Sequence, residues 1–386
     1  MYLDGNLIES YQRILVETYS QVGTISPFQR MTGIDRPFAT IQLNRGCRAD
    51  CKFCGVTKFI GKGLRQYPVK DVIAELDYLV GQRNVRHFGL LDDDFLSVGS
   101  QSAGAIAILG HLVGLHSNYG TTWCAGNGLV AFSLTSDILR LMRDSGCVGF
   151  RMGIESGVQE MWDRMNKPVS LDVVKRACVY LQDFPELFVG GNYIIGLFGE
   201  ETFGQMLQTL RVHSQLGLDW ASISVYQEIT GDESGDFTPS KDSADRQVTT
   251  CEGLDVFKLN PDEVPSRDEI RQVWFAFNLV ANYINNKNLQ PGGNPSKFAA
   301  WIDAVRICYP DNPYMPMFLG LANLLQDKDA GMELKECKDN LFHSEYWQER
   351  FKEYHLTRLI DDFPVDKRTA EQAIAKMREP YKEFIG

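Results

Sequence analysis

The chain has 386 residues, 44% of them hydrophobic and 23% charged, a make-up that provides ample material for a sizeable core. That length suits one large domain with an appendage, or two domains. The formal net charge of −11 argues against a dedicated nucleic-acid or anionic-membrane binder, though not against a local basic pocket. No uninterrupted apolar run approaches the ~20 residues a membrane helix needs. The opening Met1-Tyr2-Leu3-Asp4 has neither a basic leader nor an apolar signal core. A cytoplasmic protein is expected, its nine cysteines serving as thiols and metal ligands rather than disulfides.

Residues 5–22 read as one helix with Ile8, Tyr11, Ile14 and Leu15 on one stripe. A loop with Pro27 and Pro37 follows. From residue 38 a strand–helix rhythm sets in. Strands are expected at 39–43, 87–91, 121–125, 148–154, 188–195 and 221–226. The helices between them fall around 69–80, 106–115, 136–142 with Ser136 as cap, 170–178 begun by Ser170, and 206–210. Such alternation implies a parallel sheet with helices outside. Right-handed crossovers bend the series into a barrel or part of one. The rhythm stops near Thr230, and residues 231–265, polar and rich in Gly, Asp, Ser and Pro, read as a linker or loop. Beyond it the pattern is helical only. Ser266 and Glu269 form a capping box, and further helices fit 296–308, 314–326, 344–355 and 368–384. The expected architecture is α/β. An N-terminal helical extension (1–37) precedes a partial (β/α)6 TIM-type barrel (38–230), the linker (231–265) and an all-helical C-terminal domain (266–386).

Just past the strand at 39–43 stand Cys47, Cys51 and Cys54, in the spacing C-x3-C-x2-C. Three cysteines in one loop can each take a different iron of a four-iron cubane and leave the fourth iron open for chemistry. Gly46 permits a sharp turn before them. A structural zinc site needs four ligands, and the next His and Cys are the distant His87 and Cys124. Cys251, Cys308 and Cys337 lack C-x2-C spacing and read as free thiols rather than a second cluster.

This motif after the first strand of a βα series resembles the signature of the radical S-adenosylmethionine (SAM) superfamily. Phe53 matches the aromatic usual before the third cysteine. Leu91-Asp92-Asp93-Asp94-Phe95, Gly153-Ile154-Glu155-Ser156-Gly157, Met165-Asn166-Lys167 and Ile195-Gly196-Leu197-Phe198-Gly199-Glu200 resemble, in order, segments of the superfamily's elongator-type and cobalamin-linked branch. The resemblance spans residues 38–230. It implies a [4Fe-4S] cluster on the three cysteines and SAM on the open iron. It also implies an enzyme that splits SAM reductively to a 5′-deoxyadenosyl radical, which takes hydrogen from an organic substrate: a small metabolite, lipid or peptide. A flavodoxin or ferredoxin would supply the electron, and Lys58, Lys62 and Arg65 form a short basic stretch where such a donor could dock, or an ordinary surface.

The resemblance also suggests contacts to SAM. Asp93, or a neighbour, can accept from its ammonium group, although an acidic run is also an ordinary solvated loop. Alternation puts Arg151, Gly153 and Glu155 on one side of their strand. Arg151 and Glu155 then face SAM or substrate, or each other. Ser156 either joins them or caps the next helix. Gly196 lets adenine approach the backbone, and Asn127 is a candidate for the ribose. Trp123 and Tyr226 read as core. Phe198 stands where the branch has proline, so that turn is expected to differ in shape. Only 46 residues precede Cys47 and no D-x-H-x-x-G occurs. A cobalamin domain is therefore not expected, and cobalamin-independent C–H functionalisation or rearrangement is the first reading. The rivals are a methyltransferase with cobalamin on the tail or a partner, and a non-catalytic iron–sulfur or zinc scaffold.

Overall fold

The computed structural model describes residues 7–18, 27–33, 37–96, 102–227 and 253–385. The expected linker lies outside them up to residue 252, together with Cys251 and both ends of the expected 5–22 helix. The strands are β1 (Phe38–Ile41), β2 (Asn44–Arg45), β3 (Arg65–Gln66), β4 (His87–Leu90), β5 (Thr122–Leu129), β6 (Cys147–Glu155), β7 (Phe188–Ile195) and β8 (Trp220–Val225). Six of them join one sheet in the order β1-β4-β5-β6-β7-β8. The β1/β4, β4/β5 and β5/β6 pairs are parallel. Each strand lies beside the next of its series with a helical crossover between, the connectivity of a partial (β/α)6 barrel. β2 and β3 form a separate antiparallel pair inserted after β1.

The described residues divide into two compact units, one holding those up to Ile154 together with Trp162–Asn192, the other Glu155–Met161 and the described residues from Tyr193 onward. In the first, the N-terminal segment is not one helix. It forms a helix at Leu7–Gln12 and a 3-10 turn at Val16–Thr18. The Arg83 guanidinium explains the break. It donates to the carbonyls of Tyr11 and of Ile14 (2.7 Å), the acceptors a continuing helix would use, and pairs with Glu17 at 2.6 Å. The Tyr11 hydroxyl donates to the Thr40 carbonyl on β1. Where a loop was expected, Pro27–Met31 is helical. Proline suits a first helical position, because its missing N–H would be unpaired there anyway. Phe28 from this turn is 1% exposed and packs edge-on against Phe188, with ring centroids 5.9 Å apart. A Cβ on Gly149 would lie 2.6 Å from the Phe28 ring, so the glycine makes room for it. The helix Ser136–Asp144 is capped by Thr135, whose Oγ1 accepts from the Ile138 N–H, and not by Ser136.

In the second unit, Thr202 and Gln205 form a capping box on the helix Phe203–Leu216. Ser266 and Glu269 form the expected one on Arg267–Leu279. A single π-turn, Val280–Ile284, follows directly and resets which residues face β8. Asn282 then both accepts from the Ala221 N–H (2.7 Å) and donates to the Ala221 carbonyl (2.8 Å). Trp274 Nε1 donates to the Ile223 carbonyl and Asn286 Nδ2 to that of Asp219. Side chains thus take the place of a further strand along β8. The expected 368–384 helix is broken into Lys367–Arg378, a 3-10 turn containing Pro380, and Lys382–Ile385, because proline offers no N–H for a continuing helix. Gly331–Phe342 is a further helix that the sequence pattern does not reveal. No described helix is long and apolar enough to cross a membrane.

Candidate active site

The cysteine loop is closed at both ends. Asn44 and Arg45 pair with Gln66 and Arg65, and the Gly63 N–H donates to the Cys47 carbonyl at 3.0 Å. Gly46 has φ +91°, and a Cβ there would sit 2.5 Å from the Gly63 carbonyl oxygen, so only glycine fits. Cys47, Cys51 and Cys54 are each partly exposed. Burial pushes the Cys47 thiol up, and the nearby Asp94 and Cys54 charges push the same way against the Ala49 N–H bond.

The acidic run is the clamp on this loop. Asp92, 3% exposed, accepts from the Leu43 N–H at 3.2 Å and the Asn44 N–H at 2.5 Å. Asp93 accepts from the Gly46 N–H at 3.2 Å. Asp94 receives Arg48 bidentately, at 2.7 and 3.3 Å. Burial raises the Asp92 carboxyl to about 7 despite those two backbone donors. Met165-Asn166-Lys167 holds the other side. The Met165 carbonyl accepts from the Lys52 N–H, Asn166 Nδ2 donates to the Asp50 carbonyl, and the Lys167 ammonium lies 5.8 Å from the Phe53 ring centroid. Of the basic stretch, Lys62 pairs with Asp50 at 2.7 Å and Arg65 donates to the Ile60 carbonyl. Lys58 is exposed, as is Phe59 at 75%.

A cavity of about 180 Å³ lies among β1, β4, β5 and β6, lined by Thr40, Gly89, Cys124, Gly126, Asn127 and Arg151. Desolvation lowers the Arg151 pKa. Among the described residues no carboxylate lies within ion-pair distance of its guanidinium. Asn127 Nδ2 donates to the Leu91 carbonyl at 3.0 Å. Trp123 is core, with Nε1 on Ser145 Oγ.

In the other unit, Glu155 is 8% exposed with φ +65°. Ser156 is fully buried. Its Oγ lies 3.3 Å from Thr209 Oγ1 and accepts from the Val158 N–H, while the Gly157 N–H donates to Thr209 Oγ1. The turn after β7 is left-handed at Gly196 (φ +72°), Phe198 (φ +57°) and Gly199 (φ +65°). A proline, held near −65°, cannot adopt the Phe198 conformation, so this turn does differ from the one it resembles. The Phe198 ring packs on Tyr226, centroids 5.3 Å apart. Glu201 Oε2 accepts from the Leu197 N–H at 3.1 Å, while its Oε1 has no hydrogen-bond partner among the described residues. Burial raises this carboxyl to about 7.

Sequence reasoning missed the clamping roles of Asn44, Arg48, Thr209 and Glu201. Only Glu201 carried a signal, its place next to the motif residue Glu200. Among the described residues no three His, Cys, Asp or Glu side chains converge on a single metal ion; as a donor set, three thiols in a loop hydrogen-bonded from two sides are of the number and kind that three corners of a [4Fe-4S] cluster take.

Residues 41–212 match the model of the Radical SAM superfamily. The chain is 25% identical over 215 residues to cytidylyl-2-hydroxyethylphosphonate methyltransferase from Streptomyces wedmorensis, covering 54% of this chain and 39% of that protein. It is 26% identical over 179 residues to anaerobic magnesium-protoporphyrin IX monomethyl ester cyclase from Rubrivivax gelatinosus, covering 46% and 30%. The chain thus spans less than half the length of either relative. Among solved structures, the radical S-adenosylmethionine methyltransferase TsrM from Kitasatospora setae aligns with a TM-score of 0.45 and 12% identity, over 80% of this chain and 62% of that one. Residues 41–212 are a domain of the radical SAM superfamily, whose members use a [4Fe-4S] cluster and SAM.

Proposed function

We propose that this chain is an enzyme that cleaves SAM reductively and abstracts hydrogen from an organic substrate. The observation that carries the reading is the clamped cysteine loop: three thiols on a backbone that Asp92, Asp93 and the Arg48–Asp94 pair hold in place. Cys47, Cys51 and Cys54 would hold the cluster. When bound, cluster and SAM would together supply a 5′-deoxyadenosyl radical, the cluster's single electron being consumed in breaking SAM's carbon–sulfur bond and methionine being the leaving group.

The chain's own residues bind and orient. Arg151, a cation in a desolvated cavity with no carboxylate among the described residues within ion-pair distance, is suited to SAM's carboxylate. Asn127 lines the same cavity. Asp93 has a second carboxylate oxygen for an ammonium group. The left-handed backbone at Gly196 gives a base close access to the chain. Ser156, tied to Thr209, serves better as a positioning residue for Glu155 than as a contact. Phe53, beside Lys167, shields one side of the cysteine loop. An acidic one-electron carrier such as a flavodoxin or ferredoxin would meet the exposed Lys58 and Phe59. None of the described cysteines is in a disulfide, which suits a cytoplasmic location.

A second reading, methyl transfer with cobalamin on the tail or a partner, draws on the methyltransferase among the relatives. Cobalamin stoichiometry after anaerobic reconstitution separates the two. The deciding experiment incubates reconstituted protein with SAM and dithionite. 5′-Deoxyadenosine is expected from the wild type. Cys51→Ala should yield none and hold little iron, while keeping its helical content. A fully loaded wild type that makes no 5′-deoxyadenosine would overturn the proposed reading.

A further inference from the structure

The helical tail contains a second, larger cavity, of about 600 Å³, well within the range of small-molecule sites. Three helices contribute to it: Glu345–Glu353, Thr357–Asp361 and Lys367–Arg378. Its apolar part includes Leu359 and Met377. Its polar part includes three cations, Lys352, Arg358 and Lys376, all exposed, and the imidazole of His355. One carboxylate, Asp362, lies 3.8 Å from Arg358, both side chains being exposed. Among the described residues no carboxylate lies within ion-pair distance of Lys352 or Lys376.

The ordinary explanation of such lysines is the helix dipole, which favours cations in a last turn. It accounts for Lys352 and Lys376 singly. It does not account for cations from separate segments converging on one cavity in a chain of net charge −11, since like charges brought together repel. His355 adds a second sign. It sits at φ +58° just past a helix end, where glycine avoids about 1 kcal/mol of strain. Its N–H closes on the Lys352 carbonyl at 3.1 Å and the Leu356 N–H on that of Phe351 at 2.8 Å. This strained turn places an imidazole at the rim of the cavity.

We infer that this cavity binds an organic anion with an apolar body: a phosphate or carboxylate carried on an alkyl or aryl group. The cations receive the headgroup, and Leu359 and Met377 receive the body. The site is independent of the chemistry proposed for the barrel, so the full chain without cluster or SAM is sufficient for the test. Octyl phosphate, below its micellar concentration, is titrated calorimetrically against inorganic phosphate and 1-octanol. Octyl phosphate should saturate one site per chain, with each half-molecule binding about tenfold more weakly or worse. Arg358→Gln combined with Lys376→Gln should weaken octyl phosphate about tenfold, and Met377→Asp by a similar factor, whereas Lys376→Arg should retain binding. Non-saturable binding, unchanged affinity in the double variant, or inorganic phosphate binding as tightly as octyl phosphate would each overturn the inference.

Discussion

The cysteine loop and the turn after β7 solve one problem in two ways. Both follow a strand of the sheet, and both hold backbone N–H groups on a buried carboxyl whose pKa burial raises to about 7. The cysteine loop is held redundantly, by three aspartates, the β2/β3 pair and the Met165–Asn166 contacts. The turn hangs on one carboxyl, Glu201, with left-handed backbone at Gly196, Phe198 and Gly199. A loop that must present three thiols in fixed geometry gains from redundancy, because small displacements of ligating atoms are costly. A turn that rests on a single buried carboxyl is correspondingly sensitive to that group's protonation.

The largest expected effect tests the redundant side. Gly46→Ala puts a methyl 2.5 Å from the Gly63 carbonyl at φ +91°, and no neighbouring side chain can give way to relieve it. Local destabilisation of about 3 kcal/mol is expected. Iron loading after reconstitution should fall several-fold with helical content intact. Wild-type loading would mean that the loop tolerates rearrangement. On the other side, Phe198→Pro should cost about 3 kcal/mol in urea denaturation, and Phe198→Gly much less. A tolerated proline would show that the turn adopts the shape of the motif it resembles.

Glu201→Gln has the smaller and pH-dependent effect. The folded chain keeps the Glu201 proton up to about 7, against 4.5 ordinarily. Between those values the unfolded chain has released a proton that the folded chain still holds, so wild-type stability falls as pH rises through this window. Glutamine has no such proton. The variant should therefore gain on the wild type between about pH 5 and pH 8, by up to about 3 kcal/mol, in urea titrations without cluster. Parallel curves for the two proteins would rule out a neutral buried Glu201.

Local patterns were the readable part of this molecule. β7 was legible to its end residues, because a short, largely apolar run lying between Pro185-Glu186 and Gly196 fits a buried strand. The helix Gly331–Phe342 was not, since Cys337 alone is buried on it and no apolar stripe forms. Proline obscured the helix at 27–31, although that position favours it. In the candidate site, the place of the three thiols in one loop after β1 was legible from the sequence. The work of Asp92, Asp93 and Asp94 was not, because their partners lie 46 to 49 residues away and are mostly backbone N–H groups that leave no trace in composition. Ser156 illustrates the same limit, its partner Thr209 being 53 residues on.

An open sheet has two rims, and each is a standing invitation to recruit a strand from another molecule. Here Tyr11 meets the Thr40 carbonyl on β1, and Trp274, Asn282 and Asn286 answer β8 at every second residue. The residues flanking the barrel are therefore its selvedge. A version trimmed to 38–230 for convenience would be frayed along both borders and should come out of expression as aggregate, however intact its cysteine loop.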